Sequence, residues 1–268
     1  MNPSKKISGF ILSVLLPIIL TVFPLNIFAK ENSTDAIHIK LGADSNACGI
    51  TLPPQKSAHK LGVIIWLHGG MRSANREKGY EAHRAIIPFI NSQSYYLASP
   101  SAFGGEDWTT PKGQEHIENL ITYLLSHYPI DSTDINFVAV SDGTLGLIVY
   151  SAQGHHALHR RVLLSCFPQI VLPIESLPAQ IQFKSGTWDF FQGGHDRLFP
   201  ADQTLPYLKQ WETLFPNAHL HYYPDGEHDF SYYAAHSADL LRKIFIPVTK
   251  KTPKVAKSVK SEALQSPH

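Results

Sequence analysis

Cysteine is almost absent from this chain. Of 268 residues only Cys48 and Cys166 are cysteines, so a disulfide framework is excluded and at most one bridge is open. The two lie far apart in sequence, and Cys166 follows the apolar run 161–165, which suits a buried free thiol equally well. An excess of one charge sign is also missing: 23 Lys and Arg face 22 Asp and Glu, a formal net charge of +1. Without a basic surplus in the body, a nucleic-acid partner is not indicated. There are no internal repeats, and no glycine-rich phosphate loop appears. His155 and His159 stand four apart, but no acidic or cysteine cluster accompanies them or His156, so these histidines read as solvated surface and no metal or cofactor is expected.

The first thirty residues differ from the rest. Lys5 and Lys6 precede a nearly continuous apolar stretch, Phe10 to Phe28, interrupted by Pro17 and Pro24, and Ala29 supplies a small residue for cleavage. This pattern predicts a secretory signal peptide over 1–29, hence a secreted or periplasmic mature chain. Its competitor is an uncleaved membrane anchor. Removing Lys5 and Lys6 leaves the basic residues one short of the acidic ones. At the other end, 248–268 carries Lys250, Lys251, Lys254, Lys257 and Lys260 against Glu262 alone, which predicts a disordered basic tail with at most weak contact to an anionic surface. A domain over 30–247 remains.

Within that domain short apolar runs alternate with helical spacing. Expected strands are 36–41, 61–67, 95–99, 135–140, 162–164, 181–184 and 219–223. Expected helices are 113–128, 143–153, 205–214 and 233–245. Such alternation predicts an α/β domain with a mostly parallel sheet and helices on both faces, whose chemistry gathers at the carboxyl ends of the strands.

Two motifs fall at such ends. The run Ile135 to Val140 leads directly into Ser141-Asp142-Gly143, with small residues two before (Ala139) and two after (Gly143) the serine. That is the layout of a nucleophile elbow, although a serine in a turn is also an ordinary helix cap. The run Leu61 to Leu67 ends at His68-Gly69-Gly70. Serine needs a base, a group that orients the base, and donors for an oxyanion. His228, on the Gly-containing loop after the last expected strand, is the base candidate. Asp189 is the favoured acid because it lies just past the strand expected at 181–184; Asp196, three past Gly193, is the alternative. Backbone N–H groups of Asp142 and of Gly70 or Met71 are the oxyanion candidates. Trp108 is open to two roles, lining the cleft or packing.

On these residues the chain resembles the α/β-hydrolases of the small esterase type, near the polyhydroxybutyrate-depolymerase, feruloyl-esterase and dienelactone-hydrolase-like group. The carriers are Thr51-Leu52-Pro53 before the His-Gly-Gly strand, Tyr128-Pro129-Ile130-Asp131, the elbow, Gly186-Thr187-Trp188-Asp189 and Gly226-Glu227-His228. Ala139 and Thr144 stand where those esterases usually have glycine. The resemblance implies the α/β-hydrolase fold without a large lid, and a serine hydrolase acting on small or extended esters through an acyl-enzyme. A serine peptidase or thioesterase would use the same residues. A non-catalytic binding module on the same fold is the further alternative.

Overall fold

Strands buried on both faces set the architecture. The computed structural model describes residues 37–41, 46–53, 57–70, 75, 77–89, 95–102 and 107–245. The expected signal segment 1–29, the basic tail 248–268 and Met71 lie outside the described residues. Eight strands form one sheet: β1 (Ile37–Leu41), β2 (Asn46–Thr51), β3 (Leu61–Leu67), β4 (Tyr95–Pro100), β5 (Ile130–Val140), β6 (Arg160–Leu164), β7 (Thr187–Gly193) and β8 (Ala218–Tyr223). Their order is β1-β2-β4-β3-β5-β6-β7-β8. The pairs β1–β2 and β2–β4 are antiparallel, and all the others are parallel.

Successive side chains of a strand point to opposite faces, so each central strand feeds two cores. Val63, Ile65 and Leu67 of β3 share one apolar layer with Phe137 and Ala139 of β5, while Ile64 and Trp66 share the other with Val138 and Val140. The first layer is closed by α2 (Pro111–His127), α3 (Asp142–Gln153) and α4 (Ala201–Leu214), through Ile117, Leu120, Leu147, Leu208 and Trp211 among others. The second is closed by α1 (Lys78–Ile86), α5 (Phe230–His236) and α6 (Ala238–Ile244), through Ile86, Tyr233 and Leu241. Helices therefore cover both faces of a mostly parallel sheet, as the alternation predicts. Among the described residues no helix is long and apolar enough to cross a membrane.

Several elements differ from expectation. The strand expected at 181–184 is a 3-10 turn (Ile181–Lys184), in which Phe183 is buried while Ile181 is 70% exposed. The strand is the following segment, Thr187–Gly193, whose last six residues are all buried. Phe183 instead plugs the first core, stacked on Trp211 at 5.0 Å. The helix expected at 233–245 is interrupted at Ser237 and forms two pieces. Strand β2 and helix α1 have no counterpart in the sequence reading; α1 lacks a side-chain cap, so little in its sequence marks its start. Cys48 and Cys166 are both buried and both free, so the disulfide option is not realised.

Candidate active site

Strand β5 ends at Val140, and the chain turns into α3 through a single residue, Ser141. Its φ of 53° and ψ of −121° fall where a residue with a side chain is strained, on the order of 1–3 kcal/mol. The strain persists because the neighbours are fixed. Ser141 N–H donates to Leu164 O of β6 (3.0 Å), and both Thr144 N–H and Thr144 Oγ1 donate to Ser141 O (2.9 and 2.5 Å). Gly143 lies against the end of β3: a Cβ there would sit 2.4 Å from Leu67 O. The turn leaves the Ser141 side chain partly exposed at the carboxyl edge of the sheet.

The Ser141 hydroxyl donates to His228 Nε2 at 2.8 Å. The other ring nitrogen, Nδ1, lies 2.8 Å from both carboxylate oxygens of Asp196. An anionic partner at Nδ1 selects the tautomer that carries its proton there and leaves Nε2 as acceptor. The Asp196 side chain is fully buried. Burial pushes its pKa up, but hydrogen bonds from His228 and from Phe199 N–H outweigh that and hold it below the usual carboxylate range. Leu198 N–H and Phe199 N–H both donate to its Oδ1 (3.0 and 2.7 Å).

Two loops must meet for this contact. Gly194 N–H donates to Tyr223 O and His195 N–H to Gly226 O, each at 2.8 Å. Gly193 and Gly226 touch backbone to backbone, since a Cβ on Gly193 would lie 2.3 Å from Gly226 O. The Asp196 and His228 loops are thus clipped together just beyond the paired ends of β7 and β8.

On the other side of Ser141 runs the turn after β3. Gly69 approaches closely enough that a Cβ would sit 2.9 Å from Ser141 Cβ, and Gly70 adopts φ +95°. His68 is buried and accepts from Ala102 N–H at Nε2 (2.9 Å), so its proton is on Nδ1, which donates to Gly69 O (2.9 Å). Burial pulls the His68 pKa down to about 4, keeping the ring neutral. Trp108 Nε1 donates to His68 O (3.0 Å), and Gly146 of α3 packs flat on Trp108. Gln114 ties both together, donating to Trp108 O and Gly146 O. Trp108 is therefore a buried brace between α3 and the turn rather than part of a cleft wall.

No family model matches this chain, and no curated protein does either. Solved structures do. A thermostable esterase aligns with a TM-score of 0.59 at 13% identity over 78% of this chain and 62% of its own. An acylaminoacyl peptidase aligns with a TM-score of 0.55 at 14% identity over 78% of this chain and 40% of its own. The fluorophosphonate-binding serine hydrolase F of Staphylococcus aureus aligns with a TM-score of 0.59 at 14% identity over 80% of this chain and its full length. This chain thus spans about two fifths to three fifths of the first two. The chain has the α/β-hydrolase fold. At these identities the likeness carries the fold and not the activity.

On this fold the acid beside His228 is Asp196, which corrects the preference for Asp189. Asp189 lies inside β7, paired with Val162 and His219, and its Oδ1 accepts from His221 Nε2 at 2.9 Å. The preference rested on a strand at 181–184; with the strand at Thr187–Gly193, the residue three past its end is Asp196. The connection between β6 and β7 holds only short 3-10 turns and no large lid. Ala139 is buried in the first core, and Thr144 reinforces the turn through Ser141 O, so neither departure from glycine prevents the elbow. His155 and His156 lie against Glu118, and His159 against Asp134.

Sequence reasoning missed the side-chain roles of His68 and Asp142. The Asp142 carboxyl is buried directly behind the nucleophile, and neither oxygen has a hydrogen-bond partner among the described residues. Burial first, then Asp107, push its pKa up to about 6, with Lys78 opposing. A raised carboxyl pKa means that stability present below the unfolded value near 4 is lost as pH rises through about 6. Asp142→Asn is therefore expected to be more stable than wild type at pH 8 by roughly 1–3 kcal/mol, with the gap closing toward pH 4; denaturant midpoints across that range measure it, and a pH-independent gap contradicts it. Gly143→Ala forces a methyl onto two backbone carbonyls, Leu67 O and His68 O. A loss of about 2–4 kcal/mol in the same assay is expected; a neutral substitution would mean that the turn is not held as described.

Proposed function

We propose that this chain is an exported serine hydrolase that cleaves carboxylic esters. The observation carrying the proposal is the continuous chain of hydrogen bonds from Ser141 Oγ through the His228 ring to the buried Asp196. In the proposed reaction His228 Nε2 takes the hydroxyl proton as Ser141 Oγ bonds to the ester carbonyl carbon. The oxyanion is held by Asp142 N–H at the start of α3 and by a backbone N–H of Gly70 or Met71. Collapse breaks the bond to the alcohol oxygen, which leaves with the proton from His228. Water, deprotonated by the same ring, then releases the acid and restores Ser141. Asp196 keeps its charge throughout and stabilises the imidazolium.

The base is flanked by an apolar patch on one side and a polar cavity on the other. Phe199 packs edge-on against His228 (4.9 Å between centroids) and against Phe167 (5.8 Å), and Leu198 beside it is 68% exposed. This apolar wall borders the side from which His228 delivers its proton. An open cavity of about 740 Å³ next to it is lined by His195, Asp196, Arg197, Glu227 and His228 among others. Export rests on the Lys5-Lys6 start, the apolar run to Phe28 and Ala29.

Ser141→Ala should abolish both fluorophosphonate labelling and turnover of p-nitrophenyl esters. Asp196→Asn should lose about 10³–10⁴ in kcat and Asp189→Asn less than about tenfold. Full labelling of Ser141→Ala, or an Asp189 effect larger than that of Asp196, would overturn the reading. Expression with the native N-terminus should yield an exported protein whose intact mass lacks residues 1–29, and a full-length mass would refute cleavage.

A further inference from the structure

Helix α1 opens with a cation in an unfavourable place. Lys78 is its first residue, where the positive end of the helix dipole repels an ammonium. The side chain is half-buried, and it forms no hydrogen bond or ion pair among the described residues. None of the nearby described acids pairs with it directly. Glu77 is engaged by His38 at 2.7 Å, and Asp107 Oδ1 accepts from Thr109 N–H and Oγ1. Asp142 is buried behind the nucleophile and forms no ion pair with Lys78, although the two fields overlap.

The position is fixed by packing. Gly79 fits directly against β4, where a Cβ would lie 2.0 Å from Pro100 O, and its N–H donates to Ser101 Oγ at 2.9 Å. This seats the start of α1 over the turn after β3. A Cβ on Gly70 would lie 2.1 Å from Lys78 Nζ, while one on Gly69 would lie 2.9 Å from Ser141 Cβ. Two consecutive glycines thus join the nucleophile to the ammonium, which sits within about 12 Å of Ser141 at most. Gly70 is exposed, so the ammonium borders the open side of the turn.

We propose that Lys78 forms an anion subsite on the acyl side of Ser141, which selects esters whose acyl chain ends in a carboxylate. A half-buried ammonium with no hydrogen bond or ion pair among the described residues favours a negative group there. A diacid monoester of four to six carbons has the reach: its ester carbonyl meets Ser141 while the far carboxylate meets Lys78 Nζ. This inference rests on the hydrolase reading above.

The test compares p-nitrophenyl monoesters of succinic, glutaric and adipic acid with p-nitrophenyl esters of fatty acids of the same carbon count, at pH 7.5. The quantity read is the ratio of kcat/KM, acid-bearing over neutral. Wild type should favour at least one acid-bearing ester, and that ratio should fall at least about tenfold in Lys78→Met while Lys78→Arg retains most of it. In wild type the ratio should also drop as salt rises, a readout that needs no variant to fold. A ratio that ignores both salt and Lys78→Met overturns the subsite, including the case where both esters slow equally because Lys78 serves only to offset Asp142. Absence of both turnover and Ser141 labelling in wild type overturns the hydrolase reading and the subsite with it. Labelling and turnover with an insensitive ratio overturn the subsite alone.

Discussion

The strained turn at Ser141 is the constraint around which the site is arranged. A side-chain-bearing residue at φ 53° is tolerable only if both flanks are immobile. The flanks here are the most buried parts of the molecule: β5 is paired on both sides, and α3 is packed against the first core. Ser141 N–H and C=O are both spent on holding the bend, one on β6 and the other on Thr144. Within the turn, Thr144 holds Ser141 O and Gly143 clears Leu67 O, but these alone do not fix the bend. The sheet imposes it, which is why the serine projects beyond the strand end instead of packing into either core.

The same sheet delivers the other groups by ending its strands at one edge. Beyond β7 the chain places Asp196, and beyond β8 it places His228, with paired glycines letting the two loops touch. Beyond β3 it places the Gly69-Gly70 turn, braced by Trp108 against α3. Hydrogen bonds to these loops are mostly backbone bonds, so the constellation is held by main-chain geometry more than by long side chains. A buried carboxylate such as Asp196 is tolerable under those conditions because four donors converge on it: two loop N–H groups, Gln192 and His228.

Sequence patterns with a strong physical cause were legible, and those with a contextual cause were not. Leu61 to Leu67 and Ile135 to Val140 are apolar throughout because they are buried on both faces, and both are strands. The elbow was readable because its steric demand for small neighbours is local. The acid was misjudged because Ile181 to Lys184 looks as strand-like as Thr187 to Gly193. The difference is tertiary: Phe183 alone of the first segment finds a place in the core, whereas six consecutive residues of the second do. Roles that depend on long-range contact, such as Trp108 bracing His68 or Asp142 lying buried with no donor, leave no trace in local composition.

The electrostatics on the two sides of Ser141 differ in kind, and packing produces the difference. On the side of His228 the buried Asp196 carboxylate accepts four hydrogen bonds, the ring is flanked by Phe199, and Arg197, Glu227 and Asp229 line the cavity beside it. On the side of Gly70 the ring of His68 is held neutral by burial, the Asp142 carboxyl has its pKa raised to about 6, and the Lys78 ammonium forms no ion pair among the described residues. The field there is set by the balance between the Lys78 ammonium and the Asp142 carboxyl. A carbonyl placed over Ser141 would lie between His228 with its charged cavity and the Lys78 ammonium beyond Gly70. Charge developing on the carbonyl oxygen falls on the positive side, so the asymmetry acts in the direction that the proposed reaction requires.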